Sequence, residues 1–369
     1  MSPVRALARV NVAAIERNVA RLRRELRGGA ELCAVVKADG YGHGAAPAAH
    51  AALAGGATWL AVATAGEATQ LRAHGIDAPL LVLGALSPEE LDAALAARAD
   101  VVAWREAFVA AVAARGGGRV HVKLDTGMGR LGTRDPQEAT RVAQAAAAEP
   151  TVELVAAMTH FATADERGDA FFGEQLERFA AWGPALRERH PGLILHAANS
   201  AALLRDPGSH FDLVRPGVAI YGLDPFQEDA AARELEPALE LVSYVAEIKR
   251  CAPGESAGYG RRFVAREETV VATVPIGYGD GVRRGLTNNA DLLVAGRRFP
   301  LVGTVSMDNV ALDLGPDGGG IERGEEALLI GEGLPAEGMA RRLGTINYEV
   351  TCGIGARVPR RHHRDGAPA

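Results

Sequence analysis

Leu32-Cys33-Ala34-Val35-Val36-Lys37-Ala38-Asp39-Gly40-Tyr41-Gly42-His43-Gly44 opens as an unbroken apolar run, passes through a lysine and ends in a glycine-rich loop. An apolar run without alternation reads as a strand buried on both faces, the kind found in parallel sheets. The lysine at its end is one of only three in the chain, against 37 arginines. A sequence that meets nearly every need for a cation with Arg keeps Lys where an ammonium must lose its proton and attack a carbonyl, which a guanidinium cannot do. Lys37 is therefore the first candidate for chemistry. The plain alternative is a lysine snorkelling from a strand end.

The same pattern repeats along the chain. Apolar runs fall near 32–37, 58–63, 79–83, 99–103, 119–124, 152–158, 193–197 and 211–214, with Ala-rich helical stretches between them. Ser87-Pro88-Glu89-Glu90-Leu91 is a strong helix start, with an N-cap serine, proline at the first position and an acidic first turn. Strands alternating with helices imply a parallel sheet, and eight such units imply an α/β fold closed as a (β/α)8 barrel. Ahead of the barrel, Asn11 caps a helix predicted to run to Arg27, with Ile15, Val19, Leu22 and Leu26 on one face and Gly28-Gly29 as its stop. Past residue 236 the rhythm changes to β-rich segments, Leu239 to Cys251, Thr269 to Ile276, Arg297 to Val302 and Ala327 to Ile330. The expected organisation is a barrel domain over 1–235 and a C-terminal β-rich domain over 236–369, joined near Glu228 to Pro237. Residues 360–369 read as a frayed tail, in which Arg361-His362-His363-Arg364 is solvated rather than metal-binding. No metal is expected.

Composition narrows the function. A net charge of -6 and 48% hydrophobic residues describe a globular protein whose surface repels phosphate backbones, so nucleic acid is not an expected partner. Cys33, Cys251 and Cys352 are odd in number and lack C-x-x-C spacing, which argues against a disulfide framework and fits a reducing compartment. The sequence shows neither a signal-peptide pattern nor an apolar run of about 20 residues, so no membrane association is expected and the cytoplasm follows by elimination.

Gly127-Met128-Gly129-Arg130-Leu131-Gly132 matches the G-x-G-x-x-G of dinucleotide sites, but it follows the fifth strand of a barrel series. Asp125 ahead of it and Arg130 within it put charges where a pyrophosphate turn needs bare backbone. A Rossmann site is rejected. Lys37, Lys123, His160, Asn199, Ser200 and Arg215 fall at or just beyond the carboxyl ends of the expected strands, where barrel enzymes keep their chemistry. Arg215-Pro216-Gly217-Val218 and Ser200 follow the last two strands, the usual phosphate position. An imine-forming lysine beside a phosphate cup points to pyridoxal 5'-phosphate. Tyr259, Tyr278 and Tyr348 sit in turn-like contexts in the β-rich part, where tyrosine more often anchors packing than catalyses.

Together these segments resemble the alanine racemases, barrel-plus-β-domain enzymes that use pyridoxal 5'-phosphate. Val36 to Gly44 resembles the family's cofactor-lysine signature, with Asp39 and Gly40 in place of the commoner Asn and Ala. Lys123 to Gly132, Thr159-His160-Phe161-Ala162, Ala198-Asn199-Ser200, Arg215-Pro216-Gly217, Gly258-Tyr259-Gly260, Ile276-Gly277-Tyr278, Ser306-Met307-Asp308 and Ile346-Asn347-Tyr348-Glu349 fit as well. The resemblance implies that Lys37 binds the cofactor aldehyde and that Tyr41, Ser200, Gly217, Val218 and Tyr348 hold its phosphate, with Asn199 nearby. It places Arg215 at the pyridine nitrogen, and Arg130, Met307, Tyr278 and Asp308 around the substrate. Racemisation needs acid/base groups on opposite faces of the substrate, and the resemblance gives these roles to Lys37 and Tyr259. A free phenol titrates near pH 10, and in the family a chain from Tyr259 through His160 to Arg215 makes the phenol a usable base. Lys123 matches a position that can be carbamylated. The resemblance also implies a homodimer with shared sites, and racemisation of alanine for cell-wall peptidoglycan. Three alternatives stay open at this point: a racemase of another small amino acid such as serine, a decarboxylase on the same barrel, and a non-catalytic pyridoxal-phosphate-binding protein, which would leave residues 236–369 unexplained.

Overall fold

The computed structural model describes residues 4–369. A short strand β1 (Leu7–Asn11) and helix α1 (Val12–Arg23) precede the barrel. Asn11 Oδ1 accepts a hydrogen bond from Ala13 N at 3.2 Å, as an N-cap should, but the helix stops at Arg23, four residues short of the predicted end.

Eight strands close into a parallel barrel. They are β2 (Glu31–Val35), β3 (Trp59–Val62), β4 (Leu80–Val82), β5 (Asp100–Ala103), β6 (Gly118–Lys123), β7 (Val152–Met158), β8 (Ile194–His196) and β9 (Leu213–Val214). Each lies within an apolar run read from the sequence or overlaps it closely. β2 pairs with β3 on one side and β9 on the other, which closes the ring. Burial explains the unbroken runs, since every residue of β3, β4 and β5 is buried. The helices start where the sequence signals them. Ser87 caps Pro88–Ala96 through a reciprocal box with Glu90, and Thr64 and Glu67 form a second box on Ala65–Ala73. The Gly127–Gly132 segment is loop, and the next helix begins at Pro136. The closed barrel removes the open sheet that a dinucleotide fingerprint requires.

The second unit comprises residues 4–14, 227–233 and 237–369. It is built on a ten-stranded sheet. Here the structure corrects the expected boundaries. β1 runs antiparallel to Leu239–Tyr244 and parallel to Arg360–Arg364, so the N-terminal strand belongs to the β-rich unit and not to the barrel. The expected frayed tail is likewise ordered, as the strands Arg360–Arg364 and Ala367–Pro368. Glu234–Glu236 group instead with the barrel. There Asn18 Oδ1 accepts from Glu236 N at 2.8 Å, and Arg17 pairs with the Glu236 carboxylate. The β-rich unit also carries two helices that the sequence reading did not foresee, Ala336–Leu343 and Asn347–Cys352. Tyr348 is therefore helical, not in a turn. Among the described residues, no helix is long and apolar enough to cross a membrane.

Candidate active site

Lys37 follows β2 and begins an unusual turn. Ala38, Asp39, Gly40 and Tyr41 all have φ between 51° and 61°. A left-handed turn costs roughly 1–2 kcal/mol for each residue with a Cβ, so its surroundings must hold it. Glu67 Oε1 accepts from Ala38 N at 2.6 Å, and Asp39 Oδ1 accepts from Ala45 N at 2.9 Å. His43 Nδ1 lies 3.0 Å from the carbonyl oxygens of both Gly40 and Tyr41, so it must be the protonated nitrogen and donate. The two departures from the commoner motif suit this conformation: aspartate tolerates it and glycine has no preference against it. A Cβ at Gly40 would come within 3.3 Å of the Ala48 Cβ.

The turn delivers Tyr41 to the loop after β9. A Cβ at Gly217 would fall 2.2 Å from the Tyr41 hydroxyl, so only glycine lets the backbone come this close. Ser200 Oγ accepts from Gly217 N at 2.9 Å and from Ala219 N at 3.3 Å, which leaves its own proton to donate outward. Tyr221 lies 5.1 Å from the Tyr41 ring and stacks on His43 at 4.5 Å. Tyr41, Ser200, Gly217 and Val218 are thus assembled as a group. Asn199 caps the helix Ser200–Arg205, its Oδ1 accepting from Ala202 N at 2.9 Å.

Cations dominate the electrostatics of this end of the barrel. Burial, then Arg215, Arg130 and Lys37, push the Lys123 ammonium down to about 8, with Asp125 the one opposing charge. Burial, followed by Arg215, Lys123, Arg130 and Lys37, holds His160 well below the usual histidine range. Asp125 offers little relief, because its carboxylate accepts from Gly127 N and Gly129 N, each at 3.0 Å. Although burial disfavours its charge, those N–H groups and Arg134 keep its pKa below the ordinary value. Arg215 donates to Thr159 O at 2.8 Å, Ala197 O at 3.0 Å and His196 Nδ1 at 2.7 Å, with a long contact of 3.4 Å to His160 Nδ1. Burial pushes Arg215 down to about 10, which still leaves it a cation at neutral pH.

Tyr259, Tyr278, Met307, Asp308 and Tyr348 lie in the β-rich unit. The Met307 carbonyl accepts from Gly279 N at 2.9 Å and Arg357 Nη2 at 3.1 Å, and Arg357 also binds Asp308 Oδ1 at 2.7 Å. Behind this loop Asp280 is fully buried and engages Arg5, Arg357 and Gly277 N. Burial would raise its pKa, but the Arg5, Gly277 and Arg357 hydrogen bonds outweigh burial and lower it. A depressed carboxylate stabilises the fold above the unfolded-state pKa of about 3.9, and that contribution fades as pH falls through the lower folded value. Asp280→Ala should therefore cost about 2 kcal/mol at pH 7. In urea titrations the gap from wild type should narrow as the pH falls below about 3.9; a gap that is constant with pH would refute the assignment.

The sequence reading singled out neither Glu67 nor Tyr221, and it gave His43 no role although His43 stands in the opening motif. It also missed His121, His196 and Asp100. Period-two alternation places His121 on the same strand face as Lys123, which was the available signal.

A closed barrel with a lysine after its first strand, cations gathered around Lys123 and His160, and a β-rich unit in the same chain is the architecture of a barrel enzyme. The family model "Alanine racemase, N-terminal domain" matches residues 10–225, and "Alanine racemase, C-terminal domain" matches 238–362. The alanine racemase of Frankia casuarinae is 45% identical over 91% of this chain and 90% of its own length, and that of Thermobifida fusca is 44% identical over 96% and 97%. The crystal structure of alanine racemase from D-cycloserine-producing Streptomyces lavendulae superposes with a TM-score of 0.91 at 37% identity, covering 98% of both chains. The chain belongs to the alanine racemase family, and it is an amino-acid isomerase.

Proposed function

We propose that the protein interconverts L- and D-alanine with pyridoxal 5'-phosphate as cofactor, using Lys37 and Tyr259 as acid/base groups on opposite faces of the substrate. The observation that carries this reading is the cluster of cations Lys37, Arg130 and Arg215 around Lys123 and His160, with Asp125 the opposing charge at Lys123. An anion with a carbonyl group suits that donor set, and Tyr41, Ser200, Gly217 and Val218 fit its phosphate, with Tyr348 of the β-rich unit assigned to the same group. When bound, the cofactor would acidify the substrate Cα–H by withdrawing electrons. Lys37 supplies the amine that attaches it and then moves a proton on one face. Tyr259 serves the other face. His160 stays neutral, accepts from Arg215 on Nδ1, and so carries a proton on Nε2 to steady a phenolate. Arg215 does not give up a proton near neutral pH, which limits how much negative charge a ring nitrogen facing it can take and favours simple return of the proton. The substrate carboxylate is assigned to Arg130 and to Met307 N–H, which has no hydrogen bond among the described residues. Tyr278 and Asp308 border it. Production of D-alanine for peptidoglycan, in the cytoplasm, follows from this activity.

Assembly is part of the proposal. Tyr259 is 75% exposed, Met307 51% and Tyr278 43%, so three assigned residues stand among the exposed large apolar side chains of a single chain. A second copy of the chain would cover them and complete each site. Purified protein with added cofactor should convert L-alanine to D-alanine, followed by circular dichroism or chiral chromatography. Turnover of L-serine but not L-alanine would move the assignment to another substrate, and absence of both would reject a racemase.

Lys123 is assigned a carbamate. A pKa of about 8 makes a sizeable share of its amine neutral near pH 8, the form that adds carbon dioxide with loss of a proton. The product is an anion beside Arg130 and Arg215, replacing repulsion with attraction. Activity should fall severalfold after removal of dissolved carbon dioxide and return with bicarbonate, and a native mass measurement should show the added group. A high-resolution map with a plain ammonium at Lys123 would sink the assignment.

A further inference from the structure

A file of polar side chains crosses the barrel interior behind Arg215. Arg215 Nη1 donates to His196 Nδ1 at 2.7 Å, His196 Nε2 lies 3.0 Å from His121 Nδ1, and His121 Nε2 lies 3.0 Å from Asp100 Oδ2. None of the four residues is more than 3% exposed. His121 on β6 and His196 on β8 come from alternate strands, which is how side chains share a layer inside such barrels. These layers are normally filled with branched apolar residues, and a polar group placed there costs free energy unless it is paired. Here each member of the file is paired.

The protons in this file can be arranged in only one direction. A guanidinium has donors and no acceptor, so His196 Nδ1 must accept. Burial, then Arg215, holds His196 well below the usual histidine range, so its ring is neutral and its single proton sits on Nε2. That proton is donated to His121 Nδ1. His121 in turn carries its proton on Nε2 and donates to the Asp100 carboxylate. The other Asp100 oxygen accepts from Arg119 Nε at 2.9 Å, a side chain 42% exposed, where the file meets solvent. A buried cation and a buried anion are thereby linked through two uncharged rings.

We propose that Asp100 and His121 are positioning residues for Arg215: acting through His196, they fix the orientation of its guanidinium. Neither residue touches the substrate or the cofactor in this scheme. The idea rests on the reading that Arg215 serves bound pyridoxal 5'-phosphate, but its first test does not. The donor-only guanidinium dictates the tautomers of both rings, whether or not the protein is a racemase.

Nitrogen-15 NMR of histidine-labelled, cofactor-free protein should show His121 and His196 as neutral rings protonated on Nε2, with Nδ1 accepting. A proton on Nδ1 of either ring, or a doubly protonated ring, overturns the proposal. The second test uses holoenzyme with Asp100→Asn, which keeps the size and one carbonyl acceptor but removes the charge. The expected result is a kcat lowered about tenfold, on the scale of a hydrogen bond to a charged group, with KM for L-alanine within about twofold. The visible absorption of the bound cofactor should shift, and transamination should rise as a share of turnover. A variant with only a lower melting temperature, and with unchanged kcat, absorption and transamination share, would make the file mere core packing and reject the proposal. If Asp100→Asn does not fold, the wild-type tautomers decide alone.

Discussion

Lys37→Arg should yield a folded protein without the visible absorption of bound cofactor, and with racemisation reduced by at least about a thousandfold. The substitution keeps the positive charge and much of the length. A guanidinium does not deprotonate under these conditions and forms no imine, so both the attachment and the proton transfer on one face fail together. The electrostatic setting hardly changes, because the other cations around Lys123 and His160 remain. Thermal unfolding should accordingly stay close to wild type, which separates loss of chemistry from loss of fold. A folded variant that kept its absorption would shift the role to Lys123, the one other lysine of the barrel unit, since Lys249 is an exposed side chain of the β-rich unit.

The barrel was legible because its strands are buried on both faces and so appear as separate apolar runs. Candidate site residues stood out in the sequence where chemistry restricts residue type, as at Lys37 among so many arginines or at Arg215 followed by Gly217. The N-terminal strand Leu7–Asn11 and the strand Arg360–Arg364 were not. Their pairing joins residues some 350 positions apart in the sequence, as in Ala8 with Arg360, and Arg360-Arg361-His362-His363-Arg364 carries no apolar alternation to reveal it. The strand is held by its ladder with Leu7–Asn11 and by polar contacts such as Arg360 with the Ile354 and Val358 carbonyls, so composition alone reads it as solvated tail. The helix Asn347–Cys352 spans only six residues, too few to display a helical period, and Tyr348 was misread for that reason. The polar file behind Arg215 was hidden differently. Each of its members stands singly among apolar neighbours, and only the barrel's closure brings Asp100, His121 and His196 into one line.

Mixing two inactive variants, Lys37→Ala and Tyr259→Phe, should restore activity once subunits exchange. Each variant alone lacks one of the two acid/base groups at every site. In the proposed dimer a site takes Lys37 from one chain and Tyr259 from the other. The mixed dimer then gathers both lesions in one site and leaves the second with an intact Lys37 and an intact Tyr259. By counting the sites of a two-fold dimer, activity should reach about half of wild type per mixed dimer. The substitutions should not disturb assembly, because Tyr259→Phe removes only a hydroxyl and Lys37→Ala shortens a side chain at the end of β2. Recovery should follow the mixing ratio, peak at equal amounts of the two chains, and appear no faster than exchange itself, which a tagged subunit can report. If Lys37 and Tyr259 met within one chain, every site in the mixture would carry a lesion. A silent mixture with exchange demonstrated would therefore refute the shared site, and with it the reading that the exposed Tyr259 face waits for a second copy.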